Sequence, residues 1–194
     1  MNKYKGWIFG LIALVILFSI SQFNQNSLLS KSDQVFNIER DDIFGINIQQ
    51  LSDSISLSFN GDNWSIDGHD SLTVKDNTIN SFFEKILGLK RTTLISKNSS
   101  KWDKFMVGDS TGTHLNFLDY NKNSLGKIIV GRSNADWASS NIRIGDAVEV
   151  YQSNENISWQ LNTSPTHWGE VPEPVSTDSP VSYTHLTLPT IYSV

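Results

Sequence analysis

The sequence predicts an α+β domain, a mainly antiparallel sheet of short strands with one clear amphipathic helix, preceded by a single N-terminal transmembrane helix. Three observations predict it. In several short stretches apolar and polar residues alternate at a two-residue period, the pattern of half-buried strands. One stretch beginning at Asp76 instead spaces its apolar residues by three and four, the pattern of a helix with one buried face. Finally, Gly6 to Phe23 (GWIFGLIALVILFSISQF) runs for about 18 residues without a charge. As a helix that stretch is ~27 Å long, enough to cross a hydrocarbon core.

The apolar stretch decides the compartment. Its membrane-embedded residues are Trp7, Ile8, Phe9, Leu11, Ile12, Leu14, Val15, Ile16, Leu17 and Phe18, with Trp7 at the level of the headgroups. Lys3 and Lys5 precede it, whereas Lys31 and Asp33 after it cancel, so the positive-inside rule keeps residues 1–5 in the cytoplasm and exports the remainder. Ser19 and Ser21 ahead of Gln22 offer the small-x-small arrangement of a cleaved signal peptide. The length favours an uncleaved anchor over residues 6–23, and either reading exports the domain. Cysteine is absent, so the anchor has no lipidated thiol and the fold no disulfide. Residues 24–34 are polar and aperiodic and read as a tether.

The domain is expected over 35–170. Ile46 and Ile48 alternate with Asn47 and Gln49, and Ile55, Leu57 and Phe59 alternate with serines. Asn60-Gly61 then supplies a tight turn into a strand carrying Trp64 and Ile66. Ile79, Phe82, Phe83, Ile86 and Leu87 form the apolar helix face, with Asp76 or Asn77 as N-cap and Gly88 near the end. Thr92 to Ile95 return to extended structure, and a short amphipathic turn holds Trp102, Phe105 and Met106 before Gly108 and Gly112. Leu115 and Phe117, then Lys127 to Val130, Ile142 and Ile144, and Val148 and Val150 mark four further strands.

Residues 171–180 are Pro-rich and acidic and read as an extended exit. Val181 to Thr190 (VSYTHLTLPT) back-translates in one frame to a string resembling a transposon-based sequencing adapter. Residues 181–194, His185 included, are therefore set aside as an adapter artefact.

A formal net charge of −5 and the absence of any Lys/Arg cluster argue against a nucleic-acid partner, which requires a basic surface. Gly108-Asp109-Ser110-Thr111-Gly112 matches the G-x-S-x-G of a nucleophile elbow, but THLNFLD after it alternates like a strand, where an elbow needs a helix. His167 follows Ser110 in hydrolase order, an order easily met by chance. Asp119, Asn121 and Asn123 begin a calcium-loop pattern that fails at Ser124 and Val130, leaving a hairpin turn. Asp67, His69 and Asp70 cluster on a turn without a second ligand group. His114 reads as a surface or half-buried histidine and Asp41 and Asp42 as solvated charge. No cofactor, metal or catalytic residue is expected.

The aromatic residues are the better lead. Trp137, Trp159 and Trp168 lie in the less regular second half, and Trp137 and Trp168, flanked by polar residues, are singled out as a contact surface for a protein or a sugar. Trp64 and Trp102 read as core.

The order of features is specific: an anchor and linker, DDIFGINIQQ, ISLSFNGDNWSI, a helix ending in LKR, then KIIVGR, NIRI and AVEVY. It resembles the bacterial family catalogued as domain of unknown function 4340, over about residues 35–170. The resemblance carries over Trp64, Gly131, Arg143 and Tyr151 as structural positions, none catalytic. It implies a bacterial source, so that the single-pass, exported chain read from the anchor belongs in the bacterial cytoplasmic membrane with its domain in the periplasm or outside. It further implies a non-enzymatic accessory role with protein partners of the cell envelope, such as an ABC-type exporter or gliding-related complex. A cell-wall or polysaccharide-binding module is the alternative, and a serine hydrolase acting through Ser110 a distant third.

Overall fold

A computed structural model of the chain describes residue 14, residues 33–134 and residues 136–172. The predicted anchor, Leu14 aside, the tether up to residue 32 and everything after Pro172 lie outside the described residues. Among the described residues no helix is long and apolar enough to cross a membrane.

Eleven strands are described. Nine form one antiparallel sheet: β1 (Asp33–Gln34), β2 (Gly45–Gln50), β3 (Asp53–Phe59), β4 (Trp64–Ile66), β6 (Lys90–Ser96), β7 (Thr113–Leu118), β8 (Ser124–Arg132), β9 (Ser140–Ile144) and β10 (Val150–Ser153). Their order across the sheet is β1-β6-β10-β9-β8-β7-β2-β3-β4. The short strands β5 (Thr73–Val74) and β11 (Gly169–Glu170) pair separately. Two helices, α1 (Asp76–Leu87) and the single turn α2 (Pro165–Trp168), complete the regular structure with three 3-10 turns. The α+β class and antiparallel sheet thus match the prediction.

Alternation explains which side of the sheet is covered. Ile46 pairs with Leu57 and Phe117, Ile48 with Ile55 and Leu115, and Leu115 with Ile128, so one face carries a continuous apolar layer. On that face lies α1, burying Ile79, Phe82, Phe83 and Ile86. Phe82 meets Phe117 at 6.0 Å between ring centroids and Trp168 at 5.2 Å, both edge to face, the arrangement the ring quadrupoles favour. Each such side chain removed from water is worth roughly 1.5–3 kcal/mol.

The opposite face is covered only in part. There residues 98–112, with 3-10 turns Ser99–Lys101 and Asp103–Phe105, cap a second cluster of Val107, Ile129 and Val150. Arg143, buried on the same face, donates from Nε to the Val107 carbonyl at 3.0 Å and stacks 3.9 Å from the Trp102 ring centroid. Its guanidinium also pairs with Asp109, which is exposed. Gly131 belongs to this packing as well, because the backbone of Phe105 and Met106 lies where a Cβ would stand.

Several boundaries differ from the prediction. Asp33 and Gln34, expected in the tether, pair with Arg91 and Lys90 as an edge strand. Helix α1 is capped by Lys75, not by Asp76 or Asn77: the Lys75 carbonyl accepts from Thr78 and Ile79, and its N–H donates to Trp168. That tertiary bond places the chain's entry one residue earlier and leaves Asp76 at the positive end of the helix dipole. The last sheet strand runs from Val150 to Ser153, beyond Val148, because Asn141 to Arg143 pair with residues 150–152. The Asn60-Gly61 turn spans four residues, with the Asn60 side chain accepting from the N–H groups of Asp62 and Asn63 and Gly61 at φ +105°.

Candidate functional site

The apolar face of the sheet ends in a polar row. Going along the strands, Ile46 and Ile48 give way to Gln50, Phe117 and Leu115 to Thr113, and Ile128 and Val130 to Arg132. Register sets Gln50 beside Thr113 and Thr113 beside Val130, with Arg132 two residues further along β8. The core therefore opens at this end of the sheet into a cleft of about 510 Å³.

Its rim is built by two turns, each presenting a tryptophan. Trp137 is 78% and Trp159 79% exposed. Both positions are held firmly. Asp136 accepts from the Ala138 N–H and the Ser139 hydroxyl at 2.9 Å each, an Asx turn that fixes the backbone around Trp137. Ile157 and Leu161, fully or nearly buried, anchor the chain on either side of Trp159, and an i to i+3 bond from Gln160 to Ile157 pushes the intervening indole outward. Asn156 ties the two turns together: its amide donates to the Trp137 carbonyl at 2.9 Å, and its oxygen accepts from the Ser158 N–H. The start of the second turn is tied to α1 by Lys85 and Glu155 at 2.6 Å, which raises the Lys85 pKa through the hydrogen bond and the charge of Glu155.

On the far side of Trp159 lies a shallower hollow of about 290 Å³ bordered by Asn77, Thr78, Ser81 and His167. The His167 pKa lies below its ordinary value, first because the ring is partly desolvated and second because Lys75 is close.

Of the two tryptophans predicted to make a contact surface, Trp137 is placed in the cleft rim and Trp168 is not. Trp168 is completely buried, its Nε1–H donating to the Asn162 carbonyl at 2.7 Å and its ring packed on Phe82. The polar neighbours that suggested exposure instead form the turn α2, which rolls the indole inward. Trp159 takes its place. The sequence signal for Trp159 is the four-residue spacing of Ile157 and Leu161, which in a helical turn puts the residue between them on the opposite side; read at the strand period, the same residues all face one way.

The remaining predicted positions do not converge. Ser110 sits on the Gly108–Gly112 turn, which is preceded by a 3-10 turn and followed by β7, so the strand-turn-helix of a nucleophile elbow is not formed. His114 lies within 2.8 Å of the Asp109 carbonyl. Asp119 closes the β7–β8 hairpin, accepting from the Asn123 side chain and N–H, and these bonds hold its carboxyl below the usual range. Asp67 accepts from the Ser58 hydroxyl on an exposed turn, and among the described residues no group of three or more metal-ligating side chains forms. Tyr151 lies under the Arg91 guanidinium at 5.1 Å, and Trp64 packs between Phe59 and Phe83.

A model of the family described as Domain of unknown function (DUF4340) matches residues 64–170. The chain belongs to that family. The match takes in the cleft turns, α1, and Trp64, Gly131, Arg143 and Tyr151, the positions the resemblance carried over. Strands β2 and β3, though hydrogen-bonded into the same sheet, precede the part of this DUF4340 chain that the family model covers. No curated protein and no solved structure matches the chain.

Proposed function

We propose that this DUF4340 protein is a non-catalytic binding domain, held by its N-terminal apolar segment in a bacterial cytoplasmic membrane. It works on the outer side, where it engages a component of the cell envelope through the cleft that Trp137 and Trp159 line. The observation that carries the reading is the pair of indoles, nearly four-fifths exposed and each fixed on a hydrogen-bonded turn. Large aromatic surface left in water beside a cleft is costly unless a ligand covers it, and fixing the rings beforehand lowers the entropy cost of binding. The uncharged stretch from Gly6 to Phe23 supports the membrane attachment, and the lysines before it support the orientation. An accessory role beside an exporter complex rests on the resemblance alone.

The test uses the full chain in its membrane. A photo-crosslinking amino acid placed at Trp137 or Trp159 is expected to capture an envelope component, and one placed at exposed Ser54 on the uncovered sheet face is expected not to. Equal capture from all three positions, or from none, overturns the assignment of the cleft.

A further inference from the structure

We infer that the ligand of this cleft is a neutral polysaccharide chain, an inference that rests on the binding reading above. The first observation is charge. Gln50, Thr113, Asn156, Ser158 and Asn162 line the cleft with amides and hydroxyls, and Arg132 is the only charged side chain among the lining residues. A nucleic acid or a phosphorylated segment needs several cations to replace its counterions. The second is the polarity of the floor. Gln50, Thr113 and Arg132 stand among apolar Met106, Val130 and Leu161, so a wholly apolar ligand would strip water from polar groups without returning their hydrogen bonds.

A sugar ring fits both conditions. One face of a pyranose presents C–H groups that pack on the electron-rich face of an indole, while its hydroxyls, each donor and acceptor, match neutral amides and hydroxyls at the edge. Trp137 and Trp159, both lining the cleft, provide two such faces. The third observation is continuity. Trp159 borders both the cleft and the neighbouring hollow, where Asn77, Thr78 and Ser81 add neutral polar groups beside Phe82, His167 and Trp168. Depressions on both sides of one aromatic ring suit a ligand of repeating units better than a single sugar.

Because both indoles are exposed, replacing them leaves the core intact. The full chain in mild neutral detergent is run in native gels containing a soluble β-linked glucan, an N-acetylglucosamine polymer or a mannan. Retardation by at least one polymer is expected, weakened about tenfold in affinity by Trp137→Ala and by Trp159→Ala, the change expected from losing one aromatic anchor. Trp159→Phe, which restores a ring, is expected to recover most of it. No retardation by any polymer, with crosslinks from positions 137 and 159 running to an envelope protein, overturns the polysaccharide assignment and leaves the binding site standing. Retardation that survives both alanine replacements overturns the site, and absence of both retardation and crosslinks overturns both readings.

Discussion

Gly131→Ala is expected to lower stability by ~2–3 kcal/mol, although the residue lies in a strand where alanine is ordinarily the better choice. An added Cβ would stand 2.5 Å from the Met106 carbonyl oxygen, 2.7 Å from the Met106 carbonyl carbon, and closer still to the Phe105 oxygen. All three are backbone atoms, so no side-chain rotation relieves the overlap. Overpacking of this kind costs about 1–3 kcal/mol. Moving Phe105 also strains the bond that its carbonyl accepts from the Asn141 amide at 3.2 Å, worth about 1 kcal/mol. The entropy saved by replacing glycine offsets about 0.4–1 kcal/mol of this. Urea unfolding in mild detergent, followed by tryptophan fluorescence, measures the difference. For a chain of this size the melting temperature should fall by roughly 4–12 °C. Gly126→Ala is the control: the nearest atoms to its Cβ would be side-chain atoms of Phe36 and Ile38, at 3.1 Å, and it should cost less than about 1 kcal/mol. A Gly131→Ala variant within 1 kcal/mol of wild type would refute the argument that residues 98–112 are packed rigidly against β8.

Arg143→Leu should cost about 2–3 kcal/mol, because it leaves the Val107 carbonyl without its donor and takes the cation from the Trp102 ring, whereas Asp109→Asn, at an exposed partner whose amide oxygen can still accept from the guanidinium, should cost about 1 kcal/mol or less; equal losses in urea unfolding would mean that the ion pair dominates. Trp168→Ala should destabilise by about 3–5 kcal/mol and Trp137→Ala and Trp159→Ala by no more than about 0.5 kcal/mol, measured the same way. A His with a lowered folded pKa binds its proton more readily when unfolded, so the contribution of His167 is complete above about pH 6.5 and is lost as pH falls from there through its folded pKa. A plot of unfolding free energy against pH should decline over that window, and His167→Gln should flatten it; an unchanged slope in the variant would place the titration elsewhere.

How much of this was legible beforehand depended on whether local pattern or distant contact set the outcome. The strands bearing Ile46, Ile55 and Leu115 and the helix face of Ile79 to Ile86 were readable because each repeats at its own period within a few residues, and burial largely follows that period. The zero cysteine count, the charge balance and the uncharged N-terminal run are properties of composition that no folding alters. Arg143 could be matched to a family position but not given a role, since its partners Val107, Trp102 and Asp109 come from a segment more than thirty residues away, 34 residues in the case of Asp109.

The cleft belonged entirely to the tertiary structure. Gln50 and Thr113 look like ordinary strand ends until register aligns them, and polar neighbours, which pointed to exposure for both Trp137 and Trp168, were right only for Trp137. Trp159 and Trp168 both sit in short irregular stretches among polar residues, yet one is four-fifths exposed and the other completely buried. The difference lies in which side of a single turn meets the sheet: Ile157 and Leu161 turn Trp159 outward, and the packing of α2 on Phe82 turns Trp168 in. A turn of four or five residues has no periodicity long enough to announce its inner side, so that choice is made by the surface it lands on.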